Sequence, residues 1–377
     1  MDAIILAGGL GTRLRSVVSE VPKCMAPVGG KPFIEILADW IRDNTDIEKV
    51  VLSVGYLREF VFDWVLHNAD RYPIEFDFAV EDTPLGTGGG IRLALSQCRS
   101  DEVLVLNGDT FFGVSPEALL ASSQDAPVTL ALKPMRNFDR YGAVDCTPDG
   151  TVTGFREKKH CDEGLINGGV YLIRRSLLDL KALPAKFSFE SDVLSPLAAA
   201  GKLRAVVQDG YFIDIGIPED YALAQIRWGG FDTLLLDRDG IINVLRPADY
   251  VKCWDEWQFT PRFLELAPQW AAQFRHIFIV TNQRGVGKGL MSENDLADIH
   301  QRMIAATEAA GGRIDGIYCC TATDGSDPRR KPNPGMWEEI LSNHPEIKAE
   351  KAVMVGDSDS DMEFAANAGI TGIKLNW

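Results

Sequence analysis

AIILAGGLGTRL, residues 3–14, runs a short apolar stretch straight into a glycine-rich turn, and the pattern returns at residues 233–243 as TLLLDRDGIIN. Each reads as a buried strand ending in a loop suited to phosphate. In the first, Gly8, Gly9 and Gly11 let backbone N–H groups approach phosphate oxygens closely, Thr12 shares the turn and Arg13 adds positive charge. In the second, Asp237 and Asp239 stand two residues apart, which suits a division between a nucleophile and a proton carrier. One chain carrying both signatures is expected to run two reactions.

Working outward, further apolar runs at 50–54, 103–106, 128–132, 277–280 and 352–355 alternate with helical patterns. That alternation predicts βαβ units and mostly parallel sheets, with ligands gathering beyond the carboxyl ends of the strands. A chain of 377 residues favours two domains. The boundary is expected at Trp228-Gly229-Gly230, giving domains 1–227 and 231–377.

Composition narrows the function class. A net charge of −16 argues against nucleic acid as a partner, which needs a basic footprint, although glycine loops and a metal ion still let an acidic protein hold nucleotides. Seven cysteines without regular spacing read as reduced thiols, no apolar run is long enough for a membrane span, and the N-terminal stretch lacks the pattern of a secretion signal. The expectation is a cytoplasmic protein with no membrane partner; the sequence leaves a homo-oligomer open. The five histidines are scattered and read as surface or helix-packing residues, while Trp254 and Trp257 read as core packing.

Around the first loop, Lys23 follows Pro22 and can grip the same triphosphate, and a second glycine turn, LGTGG at 85–89, brings Gly86 and Thr87 to a base or sugar. Asp109, in LNGD at 106–109, sits where a magnesium-binding carboxylate belongs, with Asp214 of FIDIG at 212–216 as its partner. Glu81, just ahead of the second glycine turn, stands where the nucleotidyltransferases that these motifs resemble place base-contacting residues, and there a carboxylate suits guanine: it accepts from N1–H and N2–H₂ but repels the carbonyl edge of uracil or thymine. Asp82 is the alternative reader. Around the second loop, Thr281 and Asn282 end an apolar run, Lys331 is a fixed cation before a proline-rich turn, and Asp357 in GDSDSD at 356–361 offers a carboxylate to Mg²⁺.

The first set of motifs resembles the sugar-1-phosphate nucleotidyltransferases, and within them the D-glycero-D-manno-heptose 1-phosphate guanylyltransferases, through LAGGLGTRL, VPK at 21–23, LGTGG, LNGD, Glu157-Lys158, INGG at 166–169 and Asp214-Ile215-Gly216. The resemblance implies that Gly8, Gly9, Gly11, Arg13 and Lys23 hold the triphosphate. It likewise implies that Asp109 and Asp214 bind magnesium, that Gly142, Glu157 and Asn167 contact the sugar, and that Lys158 meets the sugar phosphate. Many relatives carry Thr after Asp-Ile-Gly, where this chain has Ile217.

The second set is similar to the haloacid dehalogenase phosphatases of the D,D-heptose 1,7-bisphosphate and histidinol-phosphate branch, through LDRDGIIN, TNQ at 281–283, RKPNPGM at 330–336 and Gly356-Asp357. That likeness implies Asp237 as nucleophile and Asp239 as acid and base. Thr281, Asn282 and Lys331 would hold phosphate, Arg330 would reach the rest of the substrate, and Mg²⁺ would sit on Asp237, the Asp239 carbonyl and Asp357, with Asp361 nearby. Many members of this branch hold zinc with Cys-x-His and Cys-x-Cys before Arg-Lys-Pro. Here the positions read Cys319-Cys320-Thr321 and Asp327-Pro328-Arg329, so no zinc is expected, only a shorter loop held by hydrogen bonds.

The implied fold class is therefore α/β: two Rossmann-like three-layer domains, a nucleotidyltransferase fold followed by a haloacid-dehalogenase-like fold without a large cap. The implied substrates are GTP and heptose phosphates. The second half would remove the 7-phosphate of heptose 1,7-bisphosphate, and the first would join heptose 1-phosphate to GMP. Mannose or another hexose is the alternative sugar, and a non-catalytic half is the alternative of another kind.

Overall fold

A computed structural model describes every residue except 10–13, 15–17 and 124. The expected nucleotide contacts Gly11, Thr12 and Arg13 lie outside the described residues. The chain divides into two compact units, Met1–Tyr221 and Ala222–Trp377, and the division falls inside the helix Pro218–Trp228. Among the described residues, no helix is long and apolar enough to cross a membrane.

The first unit is built on a seven-stranded sheet ordered Leu203–Val207, Val128–Phe138, Cys161–Arg174, Glu102–Asn107, Asp2–Leu6, Lys49–Val54, Glu75–Val80. Cys161–Arg174 runs against its two neighbours, and every other neighbouring pair is parallel. The runs that read as continuous apolar strands do so because both faces are covered: Ala3, Ile4, Ile5, Val103, Leu104 and Val105 are all fully buried. Asp2–Leu6 lies between Lys49–Val54 and Glu102–Asn107, so the chain leaves it in both directions and opens a crevice at its carboxyl end. A separate two-stranded ribbon pairs Thr110–Phe112 with Phe212–Asp214, opposing Thr110 to Asp214. This ribbon brings two residues far apart in sequence, Asp109 and Asp214, to one place.

The second unit holds a five-stranded parallel sheet ordered Gly316–Cys320, His276–Asn282, Thr233–Leu236, Ala352–Gly356, Thr371–Lys374. Thr233–Leu236 is central, and Asp237, Asn282 and Gly356 follow or end adjacent strands at the same edge. No domain is inserted after the Asp237 loop; residues 244–260 form a short connection with one turn of 3₁₀ helix, Trp254–Glu256. Trp254 and Trp257 stack at 5.5 Å within this connection, and the Arg238 guanidinium lies 5.7 Å from the Trp257 ring centre.

Candidate functional site

In the first unit, the residues between Glu102–Asn107 and the Asp109 ribbon turn too tightly for a side chain. A Cβ on Gly108 would collide with the Leu6 carbonyl oxygen, so glycine is required where Asp109 is delivered to the sheet edge. Lys23 Nζ meets Asp109 Oδ2 at 3.0 Å, and the Gly216 N–H donates to Asp214 Oδ1 at 2.8 Å. Burial, with Asp109 beside it, raises the Asp214 carboxyl above its ordinary value. Lys23 thus pairs with Asp109, and its charge also acts on Asp214.

They border a cavity of about 490 Å³ that is also lined by Gly142, Glu157, Lys158 and Asn167. All four expected sugar contacts therefore stand with both expected metal carboxylates around one space. Asn167 is held in place from both ends of its amide, donating to the Tyr171 hydroxyl at 3.0 Å and accepting from the Gly169 N–H at 3.0 Å. The lining includes two residues that the sequence reading missed. Arg140 Nη2 pairs with Asp220 Oδ2 at 2.8 Å at the cavity wall. Asp220 follows FIDIG closely enough to have been suspected, whereas Arg140 belongs to no motif.

The second glycine turn starts the helix Gly86–Leu95, but much of its polar capacity is already used. Thr87 donates to Glu190 Oε2 at 2.8 Å and accepts from the Phe189 N–H, and the Gly88 N–H donates to the Phe187 carbonyl. Gly86 itself takes φ +73° against the Phe187 backbone. Glu81 is likewise engaged, accepting from Ser53 Oγ at 3.1 Å and from the Leu85 N–H at 2.9 Å. It braces the strand ends and the turn, while Asp82 is exposed and 3.5 Å from Arg58. Gly8 packs against Glu81, with room for a Cβ only 3.0 Å from Oε1; Gly9 faces open space.

The second unit has the same ingredients in a drier setting. Lys331, almost fully buried, meets Asp237 Oδ1 at 2.9 Å and also pairs with Asp361, which is fully buried. Oxygens of Asp237, Asp357 and Asp361 lie within 4.8 Å of one another. Asp361 spends its second oxygen on the Ser358 N–H and hydroxyl, capping the helix Asp359–Ala368, so Asp237 and Asp357 are the freer donors. Gly240 is fixed by two constraints: its φ is +89°, and a Cβ there would strike the Asp357 carboxylate.

Asp239 turns away from this cluster. Arg238, wholly buried, donates to both its oxygens at 3.0 Å, Asn243 Nδ2 donates at 2.9 Å and Gln283 Nε2 at 2.7 Å. Burial alone would raise the Asp239 carboxyl, but Arg238 and these hydrogen bonds hold it below its ordinary value. Burial, outweighing Lys331 and reinforced by Asp361 and Asp239, pushes Asp237 up to about 7. This is the reverse of the order expected from a nucleophile that must be ionised beside an acid that must carry a proton. The reason is visible in the partners, since the Arg238 guanidinium pairs with the Asp239 carboxylate while Asp237 shares Lys331 with Asp361.

Thr281 is buried and accepts from Gln283 Nε2 at 2.9 Å. The Asn282 side chain is engaged within the protein. Its amide clamps the Lys331 backbone, donating to the carbonyl and accepting from the N–H, both at 3.0 Å. Arg330 donates to the Thr323 carbonyl at 2.6 Å. The loop that carries Asp327-Pro328-Arg329 is tied by Asp327 to the Arg329 N–H and by Asn333 to the Gly325 and Asp327 carbonyls.

The nucleotidyl transferase family profile matches residues 2–227, and a HAD-hydrolase-like profile matches residues 328–375. A D-glycero-alpha-D-manno-heptose 1-phosphate guanylyltransferase from Aneurinibacillus thermoaerophilus is 45% identical over 228 residues, spanning 60% of this chain and 97% of that protein. The crystal structure of HddC from Yersinia pseudotuberculosis is 36% identical with a TM-score of 0.55, covering 60% of this chain and 99% of that one. The crystal structure of D,D-heptose 1,7-bisphosphate phosphatase from B. bronchiseptica with magnesium and phosphate is 33% identical over 38% of this chain and 79% of its own, with a TM-score of 0.36.

Proposed function

This chain belongs to the nucleotidyl transferase family, and from that premise we propose that it makes a GDP-heptose in two steps, one in each unit. The second unit would hydrolyse the 7-phosphate of D-glycero-α-D-manno-heptose 1,7-bisphosphate, and the first would transfer GMP from GTP to the resulting 1-phosphate. The observation that carries the first half is the cavity where Asp109, Asp214, Glu157, Lys158 and Asn167 converge beside Lys23. The choice of α-heptose and guanine follows the 45% identical relative across almost its whole length.

In the transfer, an oxygen of the sugar phosphate attacks the α-phosphorus of GTP in line and pyrophosphate leaves. Such a step needs alignment and charge neutralisation rather than a covalent intermediate. Lys158 would hold the attacking phosphate, Glu157, Asn167 and Gly142 the sugar, and Lys23 with the Gly8–Gly9 turn the leaving triphosphate end. Glu81 keeps lone pairs beyond the two hydrogen bonds it accepts, enough to receive the guanine edge. Asp109 and Asp214 offer hard oxygen donors suited to Mg²⁺, which when bound would neutralise phosphate charge.

In the hydrolysis, an Asp237 oxygen attacks the 7-phosphorus, the bond from phosphorus to the sugar oxygen breaks, and that oxygen takes a proton from Asp239, which would have to receive it, as Asp237 ionises, before the attack. Water then cleaves the aspartyl phosphate with Asp239 as base, releasing inorganic phosphate and restoring Asp237. Lys331 and Thr281 would hold the phosphoryl oxygens, and the Asn282 clamp fixes Lys331 in position. Asp237, Asp357 and the Asp239 carbonyl would hold Mg²⁺, whose charge favours the ionised form of Asp237. The absence of any membrane-length helix among the described residues and the small-molecule substrates fit a cytoplasmic enzyme.

Initial rates with GTP and either α-heptose 1-phosphate or mannose 1-phosphate test the sugar and the base together. A preference for the heptose with GTP over UTP, dTTP and CTP is expected. Equal or faster use of mannose 1-phosphate would replace the heptose with a hexose.

A further inference from the structure

Although His276 and His344 are far apart in sequence and read as packing residues, the fold brings both to Glu346. His276 opens the strand His276–Asn282, and His344 directly follows the helix Gly335–Asn343, with its N–H closing that helix on the Ile340 carbonyl. His344-Pro345-Glu346 then turns so that Glu346 Oε1 lies 3.8 Å from His344 Nδ1 and 3.5 Å from His276 Nε2. One ligand atom from each of the three lies within 4.8 Å of the others.

Two further features distinguish this group from a surface ion pair. His276 Nε2 is buried and has no hydrogen-bond partner among the described residues, even though a carboxylate oxygen stands next to it. Such an atom is costly unless something binds it. The imidazoles are also wedged in place, His276 stacked on Phe278 at 9° between planes and His344 4.9 Å from the same ring. An ion bonded to three such atoms at about 2.0–2.2 Å would hold them roughly 3.4 Å apart, close to the 3.5 and 3.8 Å that already separate Glu346 Oε1 from the two imidazoles.

We propose that His276, His344 and Glu346 bind one divalent transition-metal ion, with Zn²⁺ the best fit. Two imidazoles and one carboxylate are borderline donors that suit zinc and not the hard, all-oxygen preference of Mg²⁺. The half-exposed His344 and Glu346 leave a fourth position open to water. The site is separate from the phosphatase centre: His276 begins the strand that Asn282 ends, about 20 Å away at roughly 3.3 Å per residue. Its effect is to clamp the start of one strand to the connection between the helix Gly335–Asn343 and the strand Ala352–Gly356. The ion thereby stabilises the folded second unit by mass action. This departs from the expectation of no zinc, which weighed only the Cys319 loop and the spacing of histidines in the sequence.

The test uses the full chain in excess Mg²⁺, titrated with Co²⁺ as a visible-light probe of low coordination number. The proposal expects an intense absorption that saturates at one equivalent and is displaced by Zn²⁺. Removing an outer-sphere partner of a metal already costs about 10–100-fold in affinity, so loss of a ligand in His344→Gln or Glu346→Gln should weaken Co²⁺ binding by roughly 100-fold or more. Both positions are half-exposed, and unaltered phosphate release would show that these variants fold. No intense absorption, an unchanged titration in both variants, or a sulfur-to-metal band removed by Cys319→Ser would each overturn the proposal.

Discussion

The two sites use one vocabulary, a lysine among aspartates at the carboxyl ends of parallel strands, and differ in how dry they are. Lys23 and Asp109 keep 16% and 32% of their side-chain surface exposed beside an open cavity, whereas Lys331 and Asp361 keep 2% and 0%. An open pair suits a site that must admit a triphosphate and a sugar phosphate and then only align them. A buried pair suits a carboxylate that must itself form a bond to phosphorus, because its position and charge are fixed before substrate arrives. Burial, not the list of residues, separates an aligning site from a nucleophilic one.

The largest effects should come from breaking each site separately. Asp237→Asn should lower phosphate release roughly a thousandfold or more, the scale seen when a nucleophile is lost, and leave nucleotidyl transfer at its original rate. Asp109→Ala should lower transfer by about a hundredfold or more and leave phosphate release unchanged. Rates of the two half-reactions in each variant check this. Loss of both reactions in either variant would mean that the sites are not independent, and a variant that loses neither would make that half a scaffold.

The lysines sharpen the contrast through stability. Lys331→Met leaves Asp237 and Asp361 buried without their cation, which costs about 3–5 kcal/mol. Lys23→Met breaks a partly solvated pair worth only about 0–1 kcal/mol. Denaturant unfolding of the two variants should therefore differ by several kcal/mol, and equal losses would contradict the burial argument.

A smaller effect should appear in acid. His300 Nε2 lies 3.4 Å from Arg238 Nη1, and burial, with Arg238 adding to it, pushes the imidazole down to about 4 from an ordinary 6.5. The unfolded chain therefore binds this proton at higher pH than the folded one does. Stability is full above about pH 6.5 and falls as the pH drops toward 4. His300→Gln should flatten that part of the stability profile of the second unit, as followed by unfolding midpoints between pH 4 and 7.

Much of this was legible in the sequence because a buried parallel strand is a continuous apolar run, and the chemistry of such folds sits just after its end. Asp109, Asp237, Thr281 and Asp357 each stand at or just beyond the end of such a strand. Asp214 was found as a partner of Asp109, and the ribbon pairing Thr110 with Asp214 supplies the reason. What stayed hidden depends on contacts between distant segments. Arg140 reaches Asp220 from a loop without a motif, and Arg238 looks like a spacer in DRD yet is the buried cation that sets the charge of Asp239. Asn282 and Glu81 carry the right chemistry at the right places, but the fold uses their side chains to brace neighbours as well.

Two reactions of which the first feeds the second should be visible in one incubation of the full chain with Mg²⁺, GTP and D-glycero-α-D-manno-heptose 1,7-bisphosphate, followed by mass spectrometry. Formation of inorganic phosphate, pyrophosphate and GDP-heptose from the bisphosphate alone is the predicted result. Release of phosphate without nucleotide sugar, or no turnover of the bisphosphate while heptose 1-phosphate is still consumed, would contradict it.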